Sequence, residues 1–179
     1  MTAPRFASLL VLLPALLLTV AGPVTATALA QPPATEAADK ANVGDPRVKT
    51  VLDSLKYKYT VTASKVYELT FDLKEKRSQM IHINTTTQKF SKLEIREVTS
   101  IAYKVKGKLA PDQALRLLAD NDNRKWGGWR LVENDGFTYV LYAVQLPADS
   151  NAETLDNAID AVMYTADDME KEITKADEF

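Results

Sequence analysis

The chain has 179 residues, 46% hydrophobic and 26% charged, enough apolar side chain for one packed core. It holds no cysteine, which excludes a thiol nucleophile, Cys-ligated zinc and any disulfide staple. The net charge of −2 hides 18 Lys and Arg against 9 acids in residues 47–130 and 10 acids against 2 lysines in residues 149–179, and the basic half lacks the clustered stripe with interleaved aromatics that nucleic-acid binding requires.

Residues 1–30 read as a secretory signal peptide. Arg5 is the only charge, an apolar run over 7–21 follows, and Ala28-Leu29-Ala30 closes it with a small-x-small stop, so cleavage is expected before Gln31. The alternative is an uncleaved anchor. It is disfavoured because the apolar run falls short of the ~20 residues a spanning helix needs, and Pro14 and the Gly22-Pro23 pair weaken a straight span. The expected location is periplasmic or secreted, with no stable membrane span after cleavage. Residues 31–44, rich in Ala, Pro, Thr and Glu without an apolar period, read as a disordered linker.

The folded domain is expected over 45–175. Asp45-Pro46 starts a helix, because Asp can cap the free amides and Pro suits the first helical position. Val48, Val51, Leu52 and Leu55 form its stripe. Period two follows: Tyr57, Tyr59 and Val61, then Tyr67, Leu69, Phe71 and Leu73, then Ile81 and Ile83, an antiparallel meander with one dry face. A fourth extended stretch covers 93–105, and its alternation slips between Ile95 and Val98, where a bulge or a break is expected. Pro111 opens a second helix with Ala114, Leu115, Leu117 and Leu118 as its apolar side. Two strands, 129–133 and 137–146, make a hairpin about Asn134-Asp135-Gly136. The second is apolar on both faces, so it reads as a central strand covered on both sides. In the last helix Ser150 and Glu153 have capping-box spacing. Leu155, Ile159, Val162, Ala166, Met169 and Ile173 make one seam, with Asp156, Asp160, Asp167 and Glu170 to its sides.

This element order coincides with further motifs: RSQMIHI at 77–83, LRLLADN at 115–121, WGGWRL at 126–131 and VQLPADSNAETLDNAIDAVMYTADDMEKEI at 144–173. Over these stretches the chain resembles the YbjN-like family, which shares the fold of type III secretion chaperones. The resemblance implies an α+β fold, a twisted antiparallel sheet flanked by helices in the order α-β-β-β-(β)-α-β-β-α. It further implies a protein that binds polypeptide without nucleotide, with homodimers known in the fold. Secretion chaperones are cytosolic, so the export signal here leaves the polypeptide client open.

No residue set argues for catalysis. His82 is the only histidine, and zinc or triad chemistry needs partners that the sequence does not supply. Asp120-Asn121-Asp122-Asn123 resembles the start of a calcium loop, but Arg124, Lys125 and Leu131 stand where ligands or the hinge glycine belong, so a helix end is expected. Gly127-Gly128 between two tryptophans is read as a tight entry into a strand, since no Lys-Ser/Thr follows. Trp126 or Trp129 is either core or an exposed ring for a partner. Asn84-Thr85-Thr86 is a glycosylation sequon, relevant only in a eukaryotic secretory pathway. The pairs Asp156 with Asp160 and Asp168 with Glu172 share helical faces and are read as solubilising. The expected function is therefore that of an exported, non-enzymatic polypeptide-binding module, without catalytic, cofactor or metal residues. An envelope scaffold held by an uncleaved anchor is the alternative.

Overall fold

The computed structural model describes residues 44–179. The expected signal peptide and nearly all of the expected linker lie outside the described residues. Gly44 is already buried, and a Cβ there would lie 2.4 Å from the Tyr67 ring.

Helix α1 (Pro46–Ser54) begins as its sequence predicts: the Asp45 carboxylate accepts from the Arg47 amide at 2.9 Å, and Pro46 takes the first turn. Val48 and Leu52 point inward. Strands β1 (Thr60–Val61), β2 (Tyr67–Asp72), β3 (Ser78–Ile83), β4 (Gln88–Phe90) and β5 (Leu93–Lys106) follow, with a 3-10 turn at Lys74–Lys76. Helix α2 (Pro111–Asn121), the hairpin β6 (Gly128–Asn134) and β7 (Phe137–Pro147), and helix α3 (Ala152–Ile173) complete the domain. The sheet runs β1-β2-β3-β5-β7-β6, with β4 folded back on β5, and every pairing is antiparallel. The fold is thus α+β, with helices flanking a multi-stranded antiparallel sheet in roughly the expected order.

One sheet face makes the core. Tyr67, Leu69, Ile81, Ile83, Val98, Val140, Tyr142 and Val144 are buried there with Leu155, Ile159, Val162, Ala166 and Met169 of α3, Val48 and Leu52 of α1, and Leu117 of α2. Burial of each large aliphatic chain contributes about 1.5–3 kcal/mol, so the α3 seam is the main adhesive between layers. Since all three helices send their buried residues into this one cluster, the opposite sheet face has no helix over it among the described residues.

Several expectations need correction. Strand β4 has only three residues, all exposed, so it carries no apolar alternation from which it could have been inferred. The bulge in β5 lies between Ile101 and Tyr103 rather than between Ile95 and Val98. It switches the inward parity from Val98, Ser100 and Ala102 to Tyr103, which stands opposite the buried Val140. Strand β7 is an interior strand next to the edge rather than the centre of the sheet, and it is not covered on both sides: Tyr139 and Leu141 remain half-exposed while Val140 and Tyr142 are sealed. Ser150 does not cap α3. Its hydroxyl donates to the Pro147 carbonyl, and the Asn151 side chain accepts from Thr154 N at 2.8 Å. The apolar side of α2 shrinks to Leu117, because the helix packs over β6 at the end of the sheet and leaves Leu115 and Leu118 64% exposed. Finally, Glu170 does not flank the α3 seam in solvent; it is wholly buried.

Candidate binding surfaces

The face without helices is built by the residues that alternate with the core. Glu68 and Thr70 of β2, Met80 and His82 of β3, Thr99 and Ile101 of β5, Tyr139 and Leu141 of β7, and Arg130 and Val132 of β6 alternate there. Its strips are mixed. Lys104 lies over the Phe137 ring at 4.4 Å and the Tyr139 ring at 5.1 Å, so a cation covers aromatic surface that would otherwise be more exposed. Arg130 pairs with Glu97. Met80 and Val132, each 37% exposed, are its barest apolar positions.

His82 lies on this face, half-buried, between Ile81 and Ile83 of the core face. Its Nε2 is 3.4 Å from Glu68 Oε1 on the neighbouring strand. Burial lowers the imidazole pKa more than Glu68 raises it. Among the described residues no group of three His, Asp or Glu is arranged to hold a metal.

The Asp120–Asn123 run is a helix end that locks the sheet. Asp120 accepts from Arg124 Nε at 2.8 Å and from Trp129 Nε1 at 2.6 Å, and Asn121 Oδ1 accepts from the Trp129 amide at 2.7 Å. Burial raises the Asp120 carboxyl, but these hydrogen bonds outweigh it and the pKa is lowered. Trp129 is core: its ring meets Tyr142 edge-on at 5.0 Å. Trp126 is 36% exposed. With Gly127, Arg130, Ala143 and Gln145 it lines a shallow groove of about 350 Å³. Gly127 has φ +90°, and a Cβ there would lie 2.6 Å from the Ala143 carbonyl oxygen, which makes it the tight strand entry expected of the Gly-Gly pair.

The acid pairs of α3 separate. Asp156 accepts from the Tyr57 hydroxyl at 2.5 Å, and that bond, aided by burial, pushes the Tyr57 pKa up to about 12. Burial, then Asp156, raises the Asp160 carboxyl. Glu172 pairs with Arg116 of α2. Asp168 lines an open cavity of about 500 Å³ with Arg77, Tyr164, Asp167 and Lys171. Asn84 of the sequon follows β3, half-buried, with its amide donating to Glu97 O.

The structure also shows a constellation for which sequence spacing carried no signal. Arg77 donates from Nε to Asp167 at 2.6 Å and from a terminal nitrogen to Glu170 at 3.0 Å. Burial raises the Glu170 pKa against the opposing hydrogen bonds from the Glu178 and Phe179 amides and the charge of Arg77. Sequence distance hid this group: Arg77 lies about ninety residues from both acids.

No helix among the described residues is long and apolar enough to cross a membrane. No family model matches the chain, and no curated protein matches it.

Proposed function

We propose that this is an exported, non-enzymatic module of YbjN-like type that binds polypeptide and associates as a homodimer. The observation that carries the reading is the distribution of apolar side chains at the α2–β6 end. Leu115 and Leu118 are 64% exposed, Leu131 on the adjoining strand is 49% exposed, and β6 is an edge strand among the described residues, with its Trp129 amide held by Asn121 Oδ1. Exposed leucines beside an open edge are costly in a lone molecule and useful in one that pairs. The half-exposed apolar positions of the bare sheet face supply a second contact area for an extended chain.

Light scattering on the secreted protein is expected to give a dimer at micromolar concentration, and a Leu118→Glu variant a monomer. A strict monomer in the parent chain removes the dimer. For polypeptide binding, a photo-crosslinker placed at Val132 should trap polypeptide in the compartment where the protein resides. Repeated capture of none removes the binding function. The N-terminal mass of the mature chain separates this reading from the anchored scaffold: retention of residues 1–30 favours the scaffold.

A further inference from the structure

Strand β3 meets β5 only from Ile81 to Ile83, opposite Ser100 to Val98. Beyond Ile81 the strands part, because β5 bulges after Ile101. Two things fill the split. One is the buried Gln79 side chain, whose Nε2 donates to Ser100 Oγ and to the Ile101 carbonyl, both at 2.8 Å. The other is the segment 174–179. The chain turns at Lys175, φ +60°, and runs back beside β3. There Phe179 O accepts from Met80 N at 2.7 Å and Asp177 Oδ1 accepts from Ser78 N at 3.0 Å. The segment therefore takes two donor positions of β3 that the adjoining strand leaves open.

The body grips this segment almost wholly by its main chain. Glu170 Oε1 accepts from the Glu178 amide at 2.5 Å and the Phe179 amide at 3.1 Å, and Arg77 donates to the Ala176 carbonyl at 2.5 Å. Asp177 is the one side chain of the segment that bonds β3. Residues 175–178 are all exposed, Thr174 and Phe179 are half-buried, and no side chain of 174–179 belongs to the core cluster. Main-chain hydrogen bonding to an open strand, with a side chain or two for specificity, is the pattern by which sheets take up extended peptides.

We propose that the Ser78–Met80 edge of β3 is a docking site for an extended polypeptide carrying an acidic residue two positions before a main-chain carbonyl, and that segment 174–179 occupies it in cis and must leave first. This rests on the polypeptide-binding reading above only for the class of partner. Arg77 and Glu170 are the positioning residues. They fix the path of the guest backbone, and the two β3 amides supply the ladder.

Amide exchange read by NMR on the full chain tests it. In the parent protein the Met80 amide should exchange faster than that of His82, which lies two residues on within the β3–β5 ladder, because release of the segment frees only the former. Asp177→Ala should speed Met80 exchange about tenfold, the loss of one charge-assisted contact, and leave His82 unchanged. Asp177→Asn serves if the alanine variant misfolds. Adding a synthetic hexapeptide with the sequence of residues 174–179 to that variant should restore Met80 protection and shift the Ser78 and Met80 resonances. The same peptide with alanine in place of its aspartate should not. Met80 and His82 exchanging in step, or a peptide that moves neither resonance, overturns the proposal. Peptide binding here without any crosslinked polypeptide at Val132 keeps this site and removes the general function. The reverse result removes only this site.

Discussion

The guanidinium of Arg96, 2% exposed within β5, lies 2.5 Å from Asp45, the residue that caps α1. Its other contact is the Asn84 carbonyl at 2.6 Å. Arg47 joins from the solvent side and bridges Asp45 to Glu94. Thus one carboxylate both starts the helix and ties it to the sheet. Burial would raise the Asp45 pKa, but the hydrogen bonds from Arg47 and Arg96 hold it well below the usual carboxylate range.

Asp45→Ala leaves Arg96 buried without its counter-ion, a loss of about 3–5 kcal/mol, to which the missing cap adds about 1 kcal/mol. Urea unfolding should show it. The double variant Asp45→Ala with Arg96→Leu should be markedly more stable than Asp45→Ala alone, because the stranded charge is gone. Equal losses in the two proteins would mean that the ion pair does not tie α1 down. Because the folded pKa is depressed, this contribution is complete above the ordinary carboxylate pKa and is lost as pH falls through the folded value.

The three leucines of α2 should respond very differently. Leu117→Ala empties a filled site in the core and should cost about 2–4 kcal/mol. Leu115→Ala and Leu118→Ala remove chains that are 64% exposed and should stay within about 0.5 kcal/mol. Thermal unfolding at low protein concentration, where a dimer contributes least, makes the comparison clean. A large loss at Leu118 there would show that it is buried within one molecule.

The same helix shows what sequence pattern can and cannot carry. The α3 seam was legible because a long helix laid along a sheet buries nearly all of its stripe: Leu155 through Met169 are buried and Ile173 packs partly buried against the core. Helix α2 has a similar stripe but lies over β6 at the sheet's end, and how much of a stripe finds a partner depends on tertiary placement. The hairpin at Asp135-Gly136 was legible because both residues adopt positive φ, 49° and 76°, where Asp and Gly are favoured. The Arg77–Glu170 latch was not, since a buried glutamate is spaced like a surface one until its distant partner is known. Asn151 displaced Ser150 as cap by a shift of one residue, the usual scale of ambiguity at helix ends.

Gly127 should tolerate no side chain. Gly127→Ala puts a methyl 2.6 Å from the Ala143 carbonyl oxygen at φ +90°, so strain and clash add, and a loss of about 2 kcal/mol or more is expected. Gly107→Ala is the control: φ is +78° but no atom lies within 4 Å, so only the conformational cost of about 1–2 kcal/mol remains. Similar melting shifts for both would show that strand β7 yields at Ala143.

His82 should give the protein a pH dependence of opposite sign to that of Glu170. Burial lowers the imidazole pKa below 6.5, and Glu68, 3.4 Å away, opposes this without reversing it. Between the folded value and 6.5 the unfolded chain therefore binds the proton more readily, and stability rises with pH through that window. The contribution is complete above about 6.5 and is lost as pH falls through the folded value. Glu170, whose pKa burial raises, favours the folded state as pH falls instead, so the parent profile blends the two. Subtracting the profile of His82→Asn isolates the imidazole: urea unfolding free energies from pH 5 to 8 should differ by a constant above 6.5 and by a shrinking amount below it. Glu68→Gln should steepen the fall, because it removes the one group that favours the charged ring. A difference that grows on acidification would mean that the Glu68 pairing, rather than burial, governs this histidine.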